Sequence, residues 1–151
     1  MRKRSSIKGF SEAADVMKQL PPRVQNRVLQ KGANAAARVF LSAFKAAVPR
    51  GKDSPLVRKL KGGQIVDYGK WYQNMKVRVM KRLRSRTARG AQVYTGNAFW
   101  AMFYEFGTAH EPARPILRTT SDANMEKATL AMRTAIGKGI ETEVQRLVKQ
   151  P

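Results

Sequence analysis

Between Arg23 and Val48 the apolar positions Val28, Leu29, Gly32, Ala33, Ala36, Val39, Phe40, Ala43, Phe44 and Ala47 recur at steps of three and four. That period predicts an amphipathic helix of about seven turns. Arg23, Arg27, Lys31, Arg38 and Lys45 fall largely on its opposite face, and Gly32 with the alanines lets a second backbone approach closely. Pro21-Pro22 opens the helix, because proline's missing amide would have no intrahelical partner in a first turn. Pro49 and Gly51 close it. Upstream, Ser11 to Leu20 reads as a short helix with Ser11 as N-cap, behind a basic arm. Residues 1–20 are therefore assigned as arm and short helix, and residues 21–151 as a single domain.

Residues 50–73 show no period and are punctuated by Gly51, Pro55, Gly62, Gly63 and Gly69, which predicts an irregular basic loop. From Asn74 the pattern becomes alternation, with Met75, Val77 and Val79 on one side and Lys76 and Arg78 on the other, the two-residue period of a half-buried strand. Ala91 to Thr95 reads as its partner, so the two form a β-hairpin with a long basic tip at 82–89. Ala98 to Tyr104 is apolar at every position and reads as a central strand covered on both faces, or else as a buried helix turn. A last helix, capped by Thr120, Ser121 or Asp122, presents Met125, Ala128, Met132, Ile136, Ile140, Val144 and Leu147, with a bend expected at Gly137 and Gly139. The predicted class is α+β: a small antiparallel β-sheet with a long basic hairpin, packed against a long helix in the N-terminal half and a C-terminal helix.

Charge changes the picture next. The chain has 151 residues, 30 Lys+Arg against 10 Asp+Glu, and a formal net charge of +20. Residues 1–48 contribute +8, 49–89 contribute +11, 90–114 contribute −1 and 115–151 contribute +2. A charge this large opposes the compact state by self-repulsion and is tolerated where an anionic partner screens it. There is no Cys and one His, which excludes disulfide, Cys-based zinc or iron–sulfur sites and any multi-histidine metal site. The basic N-terminus lacks the apolar run of a secretory signal, and no segment approaches the roughly 20 apolar residues of a membrane span, so a soluble protein of a reducing cytoplasm is expected.

Candidate chemistry is sparse. His110-Glu111 is the one adjacent acid-base pair, and an exposed turn histidine is its default reading. No glycine loop followed by Lys-Ser/Thr exists to cradle phosphate. The expectation is no enzyme, no catalytic residue, no cofactor and no metal. Lys81, Arg82, Arg84, Arg86 and Arg89 place five cations in nine residues at the hairpin tip, suited to DNA phosphates or acidic partner surfaces, or simply to solvent. No helix-turn-helix, zinc-finger or basic-zipper pattern is present, so any nucleic-acid contact would be to backbone. Glu105, at the end of the apolar run, requires a partner: neighbouring backbone amides, Arg114, or a cation of another subunit.

The order of these segments resembles a known family. Leu20-Pro-Pro-Arg-Val-Gln-Asn-Arg-Val-Leu entering an Ala-rich helix that ends Ala47-Val48-Pro49, then hairpin strands, then Glu105-Phe106-Gly107-Thr108 followed by Pro112-Ala113-Arg114-Pro115, is similar to the tailed-bacteriophage neck proteins. These are the head-tail joining or tail-completion proteins related to the lambda-type minor tail protein Z. The likeness extends over residues 15 to 150; it departs at Arg50 to Leu56, where the family shows a Thr-Gly-x-Leu stretch. The resemblance implies a structural virion protein, assembled in the host cytoplasm. It implies a hexameric homo-oligomeric ring that meets other neck, connector and tail-tube proteins, surrounds the DNA channel, touches genomic DNA nonspecifically and involves no membrane. A nonspecific nucleic-acid-binding protein is the alternative expectation.

Overall fold

The computed structural model describes residues 15, 17–49, 57–59, 61–63, 65–67, 69–80, 88–96 and 98–148. Among these, Asp15 and residues 17–19 are helical, and the Ser11 cap lies outside the described residues. Pro21 then precedes α1, Pro22–Ala47, with proline in its first turn as the sequence predicts. The C-terminal end of α1 is closed by the Val48 amide, which donates to the Phe44 carbonyl at 3.0 Å.

The loop expected at 50–73 is in part regular. Val57–Lys59 (β1) pairs antiparallel with Ile65–Asp67 (β2), turning through Gly62 and Gly63 at φ 107° and 85°. Trp71–Asn74 then forms a single helical turn, α2. Glycines with positive φ allow the tight reversal, and hairpins this short leave too few residues for alternation to register as a period. The second hairpin forms as predicted: Lys76–Val79 (β3) pairs antiparallel with Ala91–Tyr94 (β4), Val77 opposite Val93. Two separate two-stranded sheets result.

The larger correction concerns residues 98–104. They form a turn and then a helix, α3, Ala101–Phe106, the helical of the two readings and not the central strand. Nor is the segment buried as a whole, since Ala98 and Ala101 are covered while Phe99, Met102, Phe103 and Tyr104 are exposed. Seven apolar residues in a row fit a strand covered on both faces, but among the described residues no strand flanks this segment to cover it.

The last helix, α4, runs from Ile116 to Val148 and begins before Thr120, Ser121 and Asp122, the caps expected from sequence. It stays helical through Gly137 and Gly139. Ala128, Ile136, Gly139 and Glu143 are its buried positions, whereas Met125 and Val144 from the predicted apolar face stand exposed. Together with α1 this makes the α+β architecture a long helix pair carrying two small hairpins.

Two glycines set how closely that pair packs. A Cβ on Gly32 would lie 2.6 Å from Ile136 Cγ1, and one on Gly139 would lie 3.1 Å from Val28 Cγ1. Each helix thus provides a notch that receives a β-branched side chain of the other, and Val28 is completely buried there. Nearby, Glu143 is 5% exposed and accepts from Arg27 Nη1 at 3.3 Å. A second apolar cluster, Val48, Trp71, Met75, Ala98 and Ala101, holds α2, β3 and α3 against the end of α1, with Leu41, Phe44, Ile116 and Leu117 around it.

Candidate functional site

The segment from Trp100 to Arg118 is a closed structural unit. Trp100 to Phe106 turns helically, and Gly107 ends that turn at φ 76°, its amide donating to the Phe103 carbonyl at 2.8 Å. A side chain at Gly107 would meet the Ala113 amide at 2.7 Å and the Glu111 carbonyl at 2.9 Å, so both conformation and space require glycine. Thr108 organises the next turn. Its hydroxyl accepts from the amides of His110 and Glu111 at 3.2 and 3.1 Å, and its own amide donates to the Glu111 carbonyl at 2.9 Å. The chain then returns alongside α3, and the Arg114 amide donates to the Tyr104 carbonyl at 2.7 Å.

That return delivers the start of α4 to Glu105. Its carboxylate accepts from the Leu117 amide at 2.9 Å and the Arg118 amide at 3.0 Å. The first amides of a helix have no intrahelical acceptor, and α4 has no acidic residue in its own first turn. Proline precedes Ile116 and offers no capping oxygen of its own side chain. Glu105 supplies it from twelve and thirteen residues away, with a negative charge at the positive end of the helix dipole. The Ile116 amide donates to the Arg114 carbonyl at 2.7 Å and that of Thr119 to the Pro115 carbonyl at 3.1 Å, so each amide of the first turn is accounted for. Arg114 takes part through its backbone, and its side chain is exposed.

On the outer side of the same unit lies an apolar surface. Phe99, Met102, Phe103 and Phe106 stand at i, i+3, i+4 and i+7, the spacing that aligns side chains on one helical face. They are 47%, 57%, 46% and 67% exposed. The rings of Phe99 and Phe103 meet edge to face at 6.3 Å. Tyr104, 37% exposed, lies over the buried Trp71 at 5.6 Å and joins this surface to the core below. Ala101 turns inward. With about 150–250 Å² per aromatic side chain, the exposed part of this face amounts to about 400 Å², within the range of the largest patches on soluble monomers, which are often functional.

A groove of about 320 Å³ lies elsewhere, between α1, β4 and α4, and Ala33, Ala36, Phe40, Phe44, Val93 and Met132 contribute to its walls. Among the described residues Ser121 brings the only polar side chain of its lining. His110 and Glu111 are exposed in the Thr108 turn. Among the described residues no three His, Cys, Asp or Glu side chains come together, and no helix is long and apolar enough to cross a membrane. Lys18, fully exposed, has its ammonium raised above the ordinary lysine value, first by donating to Asp15 at 2.8 Å and then by the attraction of that charge.

Of the basic tip, Lys81, Arg82, Arg84 and Arg86 lie outside the described residues. Arg89 is exposed at the start of the returning limb, its Nη1 donating to the Ala88 carbonyl at 2.9 Å. Glu105, Phe106, Gly107, Thr108, Pro112, Arg114 and Pro115 are brought into one turn-and-cap unit. What sequence reasoning missed is the outward face of Phe99, Met102, Phe103 and Phe106. The run from Ala98 to Tyr104 is apolar at every position, so its periodicity does not separate a helix face from a strand, and only Phe106 beyond Glu105 extends the helical spacing. No protein-family model, curated protein or solved structure matches this chain.

Proposed function

We propose that this chain is a structural assembly protein that closes into a homo-oligomeric ring, as its resemblance to tailed-bacteriophage neck proteins implies. In that reading it is a non-enzymatic virion component that joins or completes the tail at the head connector. Six copies would surround the DNA channel and dock on neighbouring connector and tail-tube proteins. The observation that carries the reading is the outward aromatic face of α3. Aromatic and Met side chains are enriched at the centres of protein interfaces, where charged side chains are depleted.

Charge favours a second copy as the occupant. Two molecules of net charge +20 repel wherever their basic segments approach. Residues 90–114, which hold the aromatic face, sum to −1 and offer a meeting place with little repulsion. The cap of Glu105 and the Gly107–Thr108 turn hold that face rigidly on α4, so little ordering entropy is lost on contact. A ring contact of this kind is heterologous, with different patches of each copy meeting, and it closes when the rotation divides the circle.

The test is the mass of the particle in solution, read by native mass spectrometry and electron microscopy of the purified chain. Closed rings, six-membered by the family expectation, are the supporting result, with Phe103→Asp/Phe106→Asp leaving a folded monomer. A wild type that stays monomeric at all accessible concentrations, or a double variant that assembles as well as wild type, would sink the proposal. Imaging of phage particles containing a labelled chain then tests the position in the neck.

A further inference from the structure

We propose that the outer face of α1 is a binding surface for the phosphate backbone of duplex DNA. The helix carries Arg23, Arg27, Lys31, Arg38 and Lys45 and no acidic residue in its 26 positions. At 3.6 residues per turn these five cations fall within an arc of about 80°, spread along about 33 Å of helix axis. Arg23, Arg27, Lys31 and Arg38 are exposed and Lys45 is partly so. Gly32, buried against α4, lies about 140° from the centre of that arc and Val28 about 100°, while the buried Ala37 lies beside its edge.

Opposite charges four residues apart stabilise a helix by about 0.2–0.5 kcal/mol per pair, and like charges destabilise it by similar amounts. Here Arg23, Arg27 and Lys31 follow at four-residue steps with no carboxylate between them. Arg27 reaches Glu143 of α4 at 3.3 Å. No carboxylate among the described residues lies within ion-pair distance of Arg23, Lys31, Arg38 or Lys45. The repulsion along this stripe is relieved when an external polyanion lies on it.

The surroundings select the polyanion. The exposed large apolar side chains among the described residues lie on elements other than α1, so the stripe has neither the apolar centre of a protein interface nor the apolar face that enters a bilayer. A straight row of separated cations fits a rod carrying one negative charge per about 1.7 Å of axis. Gln30, Asn34 and Ser42 beside them already have partners in the protein, Gln30 also on the Gly90 carbonyl at 3.2 Å. Gln30 donates to Asn34 Oδ1 at 3.0 Å, and Ser42 Oγ donates to the Val39 carbonyl at 2.9 Å. Contact is therefore to phosphate, without base reading.

Fluorescence anisotropy with a mixed-sequence duplex of about 30 base pairs, with salt varied over about 50 to 200 mM, measures this directly. The informative variant is Arg23→Gln/Lys31→Gln/Arg38→Gln/Lys45→Gln; Arg27 is kept because its removal strands the buried Glu143. At about 0.9 counterions per phosphate contact, the log–log salt slope of that variant is expected to be shallower than wild type by about 3.6. Arg38→Gln/Lys45→Gln, expected to be shallower by about 1.8, decides the matter should the quadruple variant fail to fold. A wild type that does not bind the duplex, or a slope unchanged in a folded variant, overturns the assignment. So does polyglutamate binding as tightly as DNA per unit charge, which would point to an acidic protein instead. Sedimentation of the same samples reads assembly separately, so failure of the ring and failure of the stripe are distinguishable.

Discussion

Replacing Glu105 by Ala removes two charge-assisted hydrogen bonds at once, those from the amides of Leu117 and Arg118, and leaves the 33-residue helix α4 without a cap. Loss of an N-cap costs about 0.5–2 kcal/mol. Loss of a negative charge at the positive end of the helix adds about 0.3–1 kcal/mol. Glu105 is half-buried, so solvent replaces part of what is lost, and about 2 kcal/mol is the expected net destabilisation. For a chain of this length that corresponds to a fall in Tm of about 4–8 °C. Circular dichroism during thermal and urea unfolding measures it. Glu105→Gln keeps one acceptor oxygen and loses the charge, so its shift should be about half as large. A loss below about 0.5 kcal/mol in Glu105→Ala would refute the idea that this carboxylate secures the start of α4.

The glycines of the helix pair provide a paired test. Gly32→Ala gains about 1 kcal/mol of helix propensity but forces a methyl into Ile136 at 2.6 Å, so a net loss of up to about 2 kcal/mol is expected. Gly137, with nothing within 4 Å of its would-be Cβ, should gain up to about 1 kcal/mol as Ala, and equal shifts in the two melts would contradict the packing described. Met75→Ala, at a position 1% exposed, should cost about 2–5 kcal/mol in urea unfolding. Arg27→Met strands the 5% exposed Glu143 and should cost about 1–3 kcal/mol. Adding Glu143→Leu should recover most of that loss, and a double variant no better than the single would argue against the pairing.

Local rules read the long elements well. The period from Val28 to Ala47, bounded by Pro22 and Pro49, is α1, and the alternation that begins at Met75 gives β3, which pairs with β4 as a hairpin. Both signals are carried by backbone geometry acting on neighbouring residues. The run at 98–104 failed as a strand because composition reports burial only when something is there to do the burying. The start of α4 failed for a related reason: the capping residue lies on another helix, and no window along the chain can show it. The need for a partner at Glu105 was legible, since a carboxylate beside apolar residues is costly to leave alone. Which amides would answer it was not.

Sequence alone thus determined the α+β class, the two long helices, the β3–β4 pairing and the uneven distribution of charge, all of which follow from the order of residue types. Tertiary structure decided which small residues became notches, that Glu105 caps a distant helix and that α3 turns its aromatic face outward. Those outcomes depend on distances between segments far apart in the chain. Gly32 and Gly137 look alike in sequence, yet one lies under Ile136 and the other faces open space.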